Sequence, residues 1–110
     1  MINTGEVYLT ELPNSKSHEQ SGSRPSIVVI DFPGLPIAQV VPLTTSAKLS
    51  NHQNVLKIEP DKENNLSKVS YALLFQLRAI DKKRLKKKIG QLKNEDIDRL
   101  LQSIRNMYNR

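Results

Sequence analysis

Cysteine and tryptophan are absent from the 110-residue sequence, and aromatic residues make up only 5% of it. Without cysteine, the chain has neither a disulfide framework nor a thiolate site for a metal. Its two histidines, His18 and His52, lack carboxylates at the spacing of a zinc site. We therefore expect a protein that uses no metal and no cofactor.

Long hydrophobic runs are missing as well. The first twelve residues, MINTGEVYLTEL, lack the basic start and the apolar stretch of a signal peptide. No run approaches the roughly 20 apolar residues of a membrane-spanning helix. We therefore expect a soluble, cytoplasmic protein without a membrane partner, folded as one domain over residues 1–110 around Val, Ile and Leu.

Acidic residues are outnumbered by basic ones. Seventeen Lys and Arg stand against eleven Asp and Glu, which gives a formal net charge of +6. A polyanion is the natural partner of a protein with this positive charge, and nucleic acid is the commonest polyanion in a cell. Much of the excess lies in DKKRLKKK, residues 81–88, a run that predicts an exposed basic face.

Apolar alternation and short apolar runs predict strands in the first 90 residues. We expect six, over residues 5–12, 26–30, 37–43, 55–59, 69–80 and 85–90. The fifth is expected to break near Gln76, and Pro42 to mark a strand end or a bulge. Residues 14–24, rich in Ser and charge, are expected to form a loop.

The C-terminal residues change to a helical period. An apolar stripe predicts an amphipathic helix; it consists of Ile97, Leu100, Leu101, Ile104, Met107 and Tyr108. Asn94 is expected to cap this helix, with Glu95 and Asp96 near its positive end and Arg105 and Arg110 near the other. Strands followed by one helix predict an α+β fold, a small antiparallel barrel or curled sheet carrying a helix.

Two polar segments beside predicted strands hold candidate site residues. HEQSGSRP, residues 18–25, contains His18, Glu19 and Arg24, and the second segment opens with Thr44 and Thr45. An arginine pairs its planar fork with two phosphate oxygens, and a hydroxyl can donate one hydrogen bond more. This set suits metal-independent cleavage of RNA, where the 2′-hydroxyl of the substrate is the nucleophile.

Three blocks, HEQSGSRP, VVPLTT and QLRAIDKKRLKKKIG, occur in this order along the chain. In their order and spacing the sequence resembles the MazF/PemK family of toxin endoribonucleases, from Gly5 nearly to the C-terminus. The resemblance implies a small SH3-like antiparallel β-barrel with a C-terminal helix. It further implies a homodimer that cuts single-stranded RNA without metal to 2′,3′-cyclic phosphate and 5′-hydroxyl ends, and that an antitoxin inhibits.

The resemblance also implies roles for particular residues. Arg24 matches the family's catalytic arginine, Thr44 the threonine that contacts the phosphate, and Glu19 and His18 match positions used in proton transfer or RNA contact. The remaining expected RNA contacts are Gln20, Ser23, Thr45, Gln76 and Arg78. We assign charge stabilisation rather than proton donation to Arg24, because a guanidinium pKa above 12 opposes proton release.

One position departs from the family. Many relatives carry Asp or Glu immediately before the glutamine of the QLR block, and here that residue is Phe75. We expect Phe75 to be core, with a platform for base stacking as the alternative. Because a phenyl ring accepts no proton, Glu19 or His18 would have to be the base. His52, in a polar loop, is expected to be a solvated side chain.

Two other functions remain open at this point. The same fold serves a CcdB-like toxin that binds DNA gyrase, and Phe75 is compatible with a catalytically impaired RNA-binding homologue. The pair formed by Arg24 and Thr44 favours the nuclease over the gyrase binder. The positive charge predicts a partner as well, an acidic, partly disordered antitoxin segment that lies in the RNA groove.

Overall fold

A computed structural model describes residues 2–13 and 22–109 of the chain. Within these residues lie seven strands, one α-helix and two single-turn 3₁₀ helices. The strands are β1 (Glu6–Leu12), β2 (Gly22–Asp31), β3 (Ile37–Thr44), β4 (Val55–Ile58), β5 (Ser70–Leu73), β6 (Arg78–Asp81) and β7 (Leu85–Gln91). The helix α1 spans Asn94–Tyr108, and the 3₁₀ helices span Leu74–Gln76 and Lys82–Arg84.

The strands form one antiparallel sheet in the order β4-β5-β3-β2-β1-β7, and β6 pairs with β3 off this path. β3 changes partner along its length: its residues 37–40 pair with β6, whereas Leu43 and Thr44 pair with β5. Pro42 lies between the two pairings. It therefore marks a change of partner inside the strand, not the strand's end. The architecture confirms the α+β prediction and is barrel-like.

The broken fifth strand is confirmed. The predicted strand over residues 69–80 is two strands, β5 and β6, and the 3₁₀ helix that separates them ends at Gln76. The boundary of β2 differs from the prediction, because Gly22, Ser23 and Arg24 belong to the strand. Their pairing with Leu12, Glu11 and Thr10 of β1 extends β2 beyond the apolar run that the pattern shows.

The sheet has two unlike faces. Its covered face packs against α1 and holds the larger buried cluster, which includes Val7, Ile27, Val41, Leu43 and Leu100. Its other face carries a smaller buried cluster of Leu12, Val28, Val40 and Ile80. We call it the open face because no residue of α1 belongs to this cluster. Because side chains alternate along a strand, neighbours in sequence such as Ile27 and Val28 belong to different clusters.

The helix lies close to the start of β1 because Gly5 leaves room for it. Gly5 has a φ of +92°, and a Cβ there would come within 2.5 Å of Ile97 Cδ1. Its backbone is held on both sides, since its N–H donates to Val28 O and its carbonyl accepts from Leu92 N–H. A side chain at residue 5 would be strained at this positive φ and would displace the side chain of Ile97.

The start of α1 corrects the predicted cap. Asn94 is the first helical residue, and the N-cap position is Lys93, whose side chain makes no capping hydrogen bond. Lys93 acts through its backbone, because its carbonyl accepts from the N–H groups of Asp96 and Ile97. The predicted acidic first turn is present, and Asp96 is ion-paired there with Arg99 at 2.9 Å.

Across residues 2–13 and 22–109, no helix has both the length and the apolar composition needed to cross a membrane.

Candidate functional site

Strand register sets Arg24 and Thr44 on the open face, at the same end of the sheet. Arg24 pairs with Thr10 of β1. On its other side, β2 is in register with β3 at Ser26 and Pro42, and extending this register by two residues sets Arg24 level with Thr44. Cross-strand neighbours point to the same face of a sheet. The two residues, 20 positions apart in the sequence, thus lie on the same face at the same end of the sheet, each two residues beyond the last β2–β3 pair.

Thr44 ends β3 in a geometry that favours donation. Its Oγ1 accepts a hydrogen bond of 3.1 Å from Ser46 N–H. This contact orients the hydroxyl and occupies an acceptor lone pair, while the single O–H can donate to a phosphate oxygen. A cleft of about 300 Å³ opens next to Thr44, lined by Thr44, Ser46, Lys48, Leu49 and Leu73.

Arg78 supplies a second guanidinium on the opposite side of β3. It begins β6 and pairs with Val40, which on its other side pairs with Val28 of β2. Val28 shares a strand face with Arg24 because they are four residues apart. Two arginines therefore lie on the open face on either side of β3, with Arg78 level with Val40, four residues before the strand ends at Thr44.

A buried carboxylate network lies farther along the same face. Glu6, only 4% exposed, accepts from Lys88 Nζ at 2.8 Å, from Asn3 N–H at 2.8 Å and from Tyr8 Oη at 3.3 Å. Burial raises the pKa of the Glu6 carboxyl, but the three hydrogen bonds outweigh burial, so that its pKa lies below the ordinary value. Burial and the Glu6 charge raise the pKa of Tyr8. These contacts hold Lys88, one lysine of the basic run over residues 81–88, in place.

The predicted exposed basic face is only partly confirmed. Lys86, Lys87 and Lys88 are exposed on β7, whereas Lys82 is half-buried and ion-paired with Asp31 at 2.6 Å. Lys82 also donates to Phe32 O at 3.3 Å. The first lysine of the run thus holds the turn after β2, and the later ones carry the exposed positive charge.

The other predicted contacts are distributed around this end of the sheet. Ser23 is exposed on β2, and strand alternation puts its side chain on the face opposite to Arg24. Thr45 is exposed just beyond β3, and Gln76 is half-buried at the end of its 3₁₀ helix. His18, Glu19 and Gln20 lie outside the described residues. The roles of all these residues stay predictions.

Phe75 is not part of the core. It is 44% exposed, because the 3₁₀ helix that interrupts the strand turns its side chain outward. Its ring contacts His52 with a centroid distance of 5.7 Å and an angle of 59° between the planes. His52 is exposed as expected. Its ring is oriented by a hydrogen bond, because its Nδ1 accepts from Asn54 N–H at 3.0 Å.

Sequence reasoning missed Lys48, the cation of the cleft beside Thr44. Nothing in its position, four residues beyond Thr44 in a polar loop, distinguishes it from other exposed lysines. In the part of the chain that the structure describes, no three His, Asp or Glu side chains cluster as they would around a metal ion.

The chemistry available at this end of the sheet is the binding and charge stabilisation of a phosphodiester. Two guanidiniums and a hydroxyl face one region, and each can donate to anionic oxygens. Charge that develops on a phosphorane is stabilised by such fixed donors.

Comparison with solved structures finds the same fold in toxins. MazF from Deinococcus radiodurans superimposes with a TM-score of 0.80 at 17% identity, over 99% of this chain and 97% of that one. An endoribonuclease from a mycobacterial species gives 0.71 at 15% identity, over 94% and 86%. A MazE–MazF structure from D. radiodurans gives 0.66 at 18% identity, over 94% and 91%.

The sequence itself identifies the family. Residues 3–108 match the family described as PemK-like, MazF-like toxin of type II toxin-antitoxin system. This range spans every strand and the helix, and it includes Arg24, Thr44 and Arg78. The chain therefore belongs to the PemK-like, MazF-like toxins of type II toxin–antitoxin systems, a family of endoribonucleases.

Proposed function

We propose that this chain is a metal-independent endoribonuclease that cleaves single-stranded RNA at short sequences through Arg24 and Thr44. The observation that carries the proposal is the register that sets these two side chains level on the open face of the sheet. Family membership supports the reaction class, and the net charge of +6 supports an anionic substrate.

In the proposed reaction, the 2′-hydroxyl of the RNA attacks the adjacent phosphorus while the bond from phosphorus to the 5′-oxygen breaks. The products are a 2′,3′-cyclic phosphate and a 5′-hydroxyl. Arg24 pairs with the non-bridging oxygens and Thr44 donates to one of them, so that both contacts strengthen as negative charge develops. One proton leaves the 2′-oxygen and one reaches the 5′-oxygen.

The proton acceptor is proposed to be Glu19 or His18. Phe75, which occupies the position of an acid in many relatives, is exposed but cannot accept a proton. We expect Glu19→Gln or His18→Ala to lower the cleavage rate at its pH optimum by at least tenfold. If neither change does so, the acceptor lies outside this segment or chemistry does not limit the rate.

The proposed partners are a second copy of the chain and an acidic antitoxin in the cytoplasm. The MazE–MazF structure from D. radiodurans and the positive charge of the site support an antitoxin segment that covers Arg24 and excludes RNA. Antitoxin binding should weaken as salt rises and should compete with RNA. A monomer mass by light scattering would contradict the homodimer, and an inhibitor that leaves RNA binding untouched would contradict occlusion.

Incubation of the purified protein with a long RNA in EDTA tests the proposal. The expected products carry 2′,3′-cyclic phosphates, and folded Arg24→Ala protein should yield almost none. Cleavage that needs Mg²⁺ and leaves 3′-hydroxyls would overturn the mechanism. Binding without cleavage would identify an impaired RNA-binding homologue, and inhibition of gyrase without either would identify the CcdB-like function.

A further inference from the structure

His52 and Phe75 form a corner of two exposed rings. The rings belong to different segments, the loop after β3 and the 3₁₀ helix after β5, and their planes meet at 59° with centroids 5.7 Å apart. A flat ligand that stacks on one ring of such a corner turns its edge towards the other ring. The arrangement fits a planar heterocycle better than an aliphatic side chain.

The corner is held rigid by backbone contacts. Leu74 N–H donates to Asn54 O at 3.0 Å, which joins the 3₁₀ helix to the loop that carries His52. Asn54 N–H in turn donates to His52 Nδ1 at 3.0 Å. Because Nδ1 accepts this bond, the proton of the neutral imidazole is on Nε2. His52 therefore offers one N–H donor, already oriented, to a ligand.

The surroundings of the corner are neutral and rich in hydrogen-bonding groups. A cleft of about 340 Å³ is lined by Asn54, Leu74, Phe75, Leu77, Met107 and Tyr108. A second cleft of about 460 Å³ shares Asn54 and Met107 with it and adds Gln53, Ser103, Asn106 and Asn109. Aromatic faces combined with side-chain amides are the groups that proteins use to bind unpaired bases.

The two segments that form the corner are close in sequence to residues of the proposed RNA site. Phe75 precedes Gln76 and is three residues from Arg78, which begins β6 on the open face. The loop that carries His52 starts at Thr44. Both rings thus belong to segments that adjoin, in the sequence, residues of the proposed RNA site.

We propose that His52 and Phe75 form a nucleobase subsite, in which an unpaired base stacks on Phe75 and accepts a hydrogen bond from His52 Nε2–H. The inference rests on the proposed function, because it assigns the subsite to the same RNA substrate. The pair contributes to affinity and to the choice of cleavage sequence, whereas Arg24 and Thr44 act on the phosphate.

Binding of a fully 2′-O-methylated single strand tests the subsite without cleavage. Phe75→Leu keeps an apolar side chain but removes stacking, and it should weaken binding roughly five- to hundredfold. Phe75→Tyr keeps the aromatic face and should restore binding. Leu35→Ala is the matched control, because Leu35 is 57% exposed in the turn after β2, at the opposite end of that strand from Arg24.

A fluorescent base analogue gives the second readout. With 2-aminopurine placed at successive positions of the strand, the wild-type protein should quench emission at one position, and Phe75→Leu should abolish that quenching. His52→Phe keeps a ring beside Phe75 but removes the donor, so it should alter the cleavage sequences more than the affinity. Unchanged binding and cleavage profiles in Phe75→Leu would overturn the subsite.

The outcomes also separate this inference from the proposed function. If the wild type binds the methylated strand through Phe75 but cleaves no RNA, the nuclease proposal fails and the subsite stands. If the wild type cleaves RNA and Phe75→Leu behaves normally, the subsite fails alone. A Phe75→Leu protein that becomes monomeric as it loses RNA would show that the corner is a subunit contact instead, which contradicts the subsite.

Discussion

The two faces of the sheet are built from the same strands and do different work. The covered face buries a continuous apolar cluster against α1, with Leu100 and Ile27 fully buried. The open face has a smaller apolar cluster and also carries Arg24 and Thr44 at one end and Arg78 opposite Val40. Alternation along β2 and β3 lets one sequence provide a packed core on one side and the proposed phosphate site on the other.

This division implies that substitutions on the two faces have separable effects. A change on the covered face should lower the free energy of unfolding and leave the cleavage rate of the folded protein intact. A change beside Arg24 should lower the cleavage rate and leave the free energy of unfolding intact. The predictions below test the division, beginning with the largest expected effect.

Leu100→Ala should produce the largest loss of stability. Leu100 is fully buried between α1 and the sheet, and a Leu→Ala change at such a site costs about 2–5 kcal/mol. Urea unfolding measures the loss, and the cleavage rate per folded molecule should stay near that of the wild type. Leu35→Ala, at an exposed position, should change stability by no more than about 0.5 kcal/mol.

Arg24→Ala should produce the largest loss of activity. Removal of one positioned donor to developing charge typically lowers the rate by about 10²- to 10³-fold. Single-turnover cleavage in EDTA measures the rate, and thermal unfolding should show a midpoint close to that of the wild type. Arg24→Lys keeps the charge but loses the planar fork, so it should recover only part of the rate. Near-normal cleavage by a folded Arg24→Ala protein would place the site elsewhere.

Glu6→Gln should change how stability depends on pH. The pKa of Glu6 is lowered in the folded protein, so its contribution is present above the ordinary pKa of 4.5 and is lost as pH falls below it. The variant should be less stable at neutral pH by about 1.5 kcal/mol, the lower end for a hydrogen bond to a charged group, since Lys88 is 45% exposed.

The free energy of unfolding at acid pH is the measurement that tests the role of Glu6. Between pH 7 and pH values below 4.5, the wild type should lose more stability than Glu6→Gln. Glu59→Gln is the matched control, because Glu59 is 66% exposed and its ion-pair partner, Lys57, is exposed as well. Equal pH slopes for Glu6→Gln and the wild type would show that the network contributes nothing to folding.

Lys48→Ala should have the smallest effect, on the salt dependence of binding. Each phosphate contact to a single strand contributes about 0.7 to the slope of log K against log salt concentration. Loss of Lys48, in the cleft beside Thr44, should reduce the slope by about this amount. Lys93→Ala, at the start of α1 on the covered side, should leave the slope unchanged. Equal slopes for both variants would exclude Lys48 from the RNA path.

Local patterns in the sequence predicted most of the elements of the fold. Alternation and short apolar runs located the strands, and the long fifth run was expected to break near Gln76. The cap at Asn94 was predicted wrongly, since the backbone of Lys93 takes that position without any side-chain signal. Phe75 was assigned to the core because a run of apolar residues does not reveal that one turn of 3₁₀ helix rotates it outward.

The site was less accessible to sequence reasoning than the fold. The residue types of Arg24 and Thr44 indicate phosphate chemistry, but their adjacency depends on the register between β2 and β3, a non-local property. The family resemblance is what predicts a role for both residues. The rigid corner of His52 and Phe75 had no signal beyond the residue types, because it depends on a backbone contact between Leu74 and Asn54.

The central claim is that Arg24 and Thr44 act together on one phosphate, and a double-mutant cycle on the single-turnover rate tests it most directly. The account predicts that Arg24→Ala, Thr44→Ala and the double variant all fold and that the effects are strongly non-additive, with the double variant little slower than Arg24→Ala alone. Additive losses in the double variant would contradict it, because they would show that the two side chains act independently.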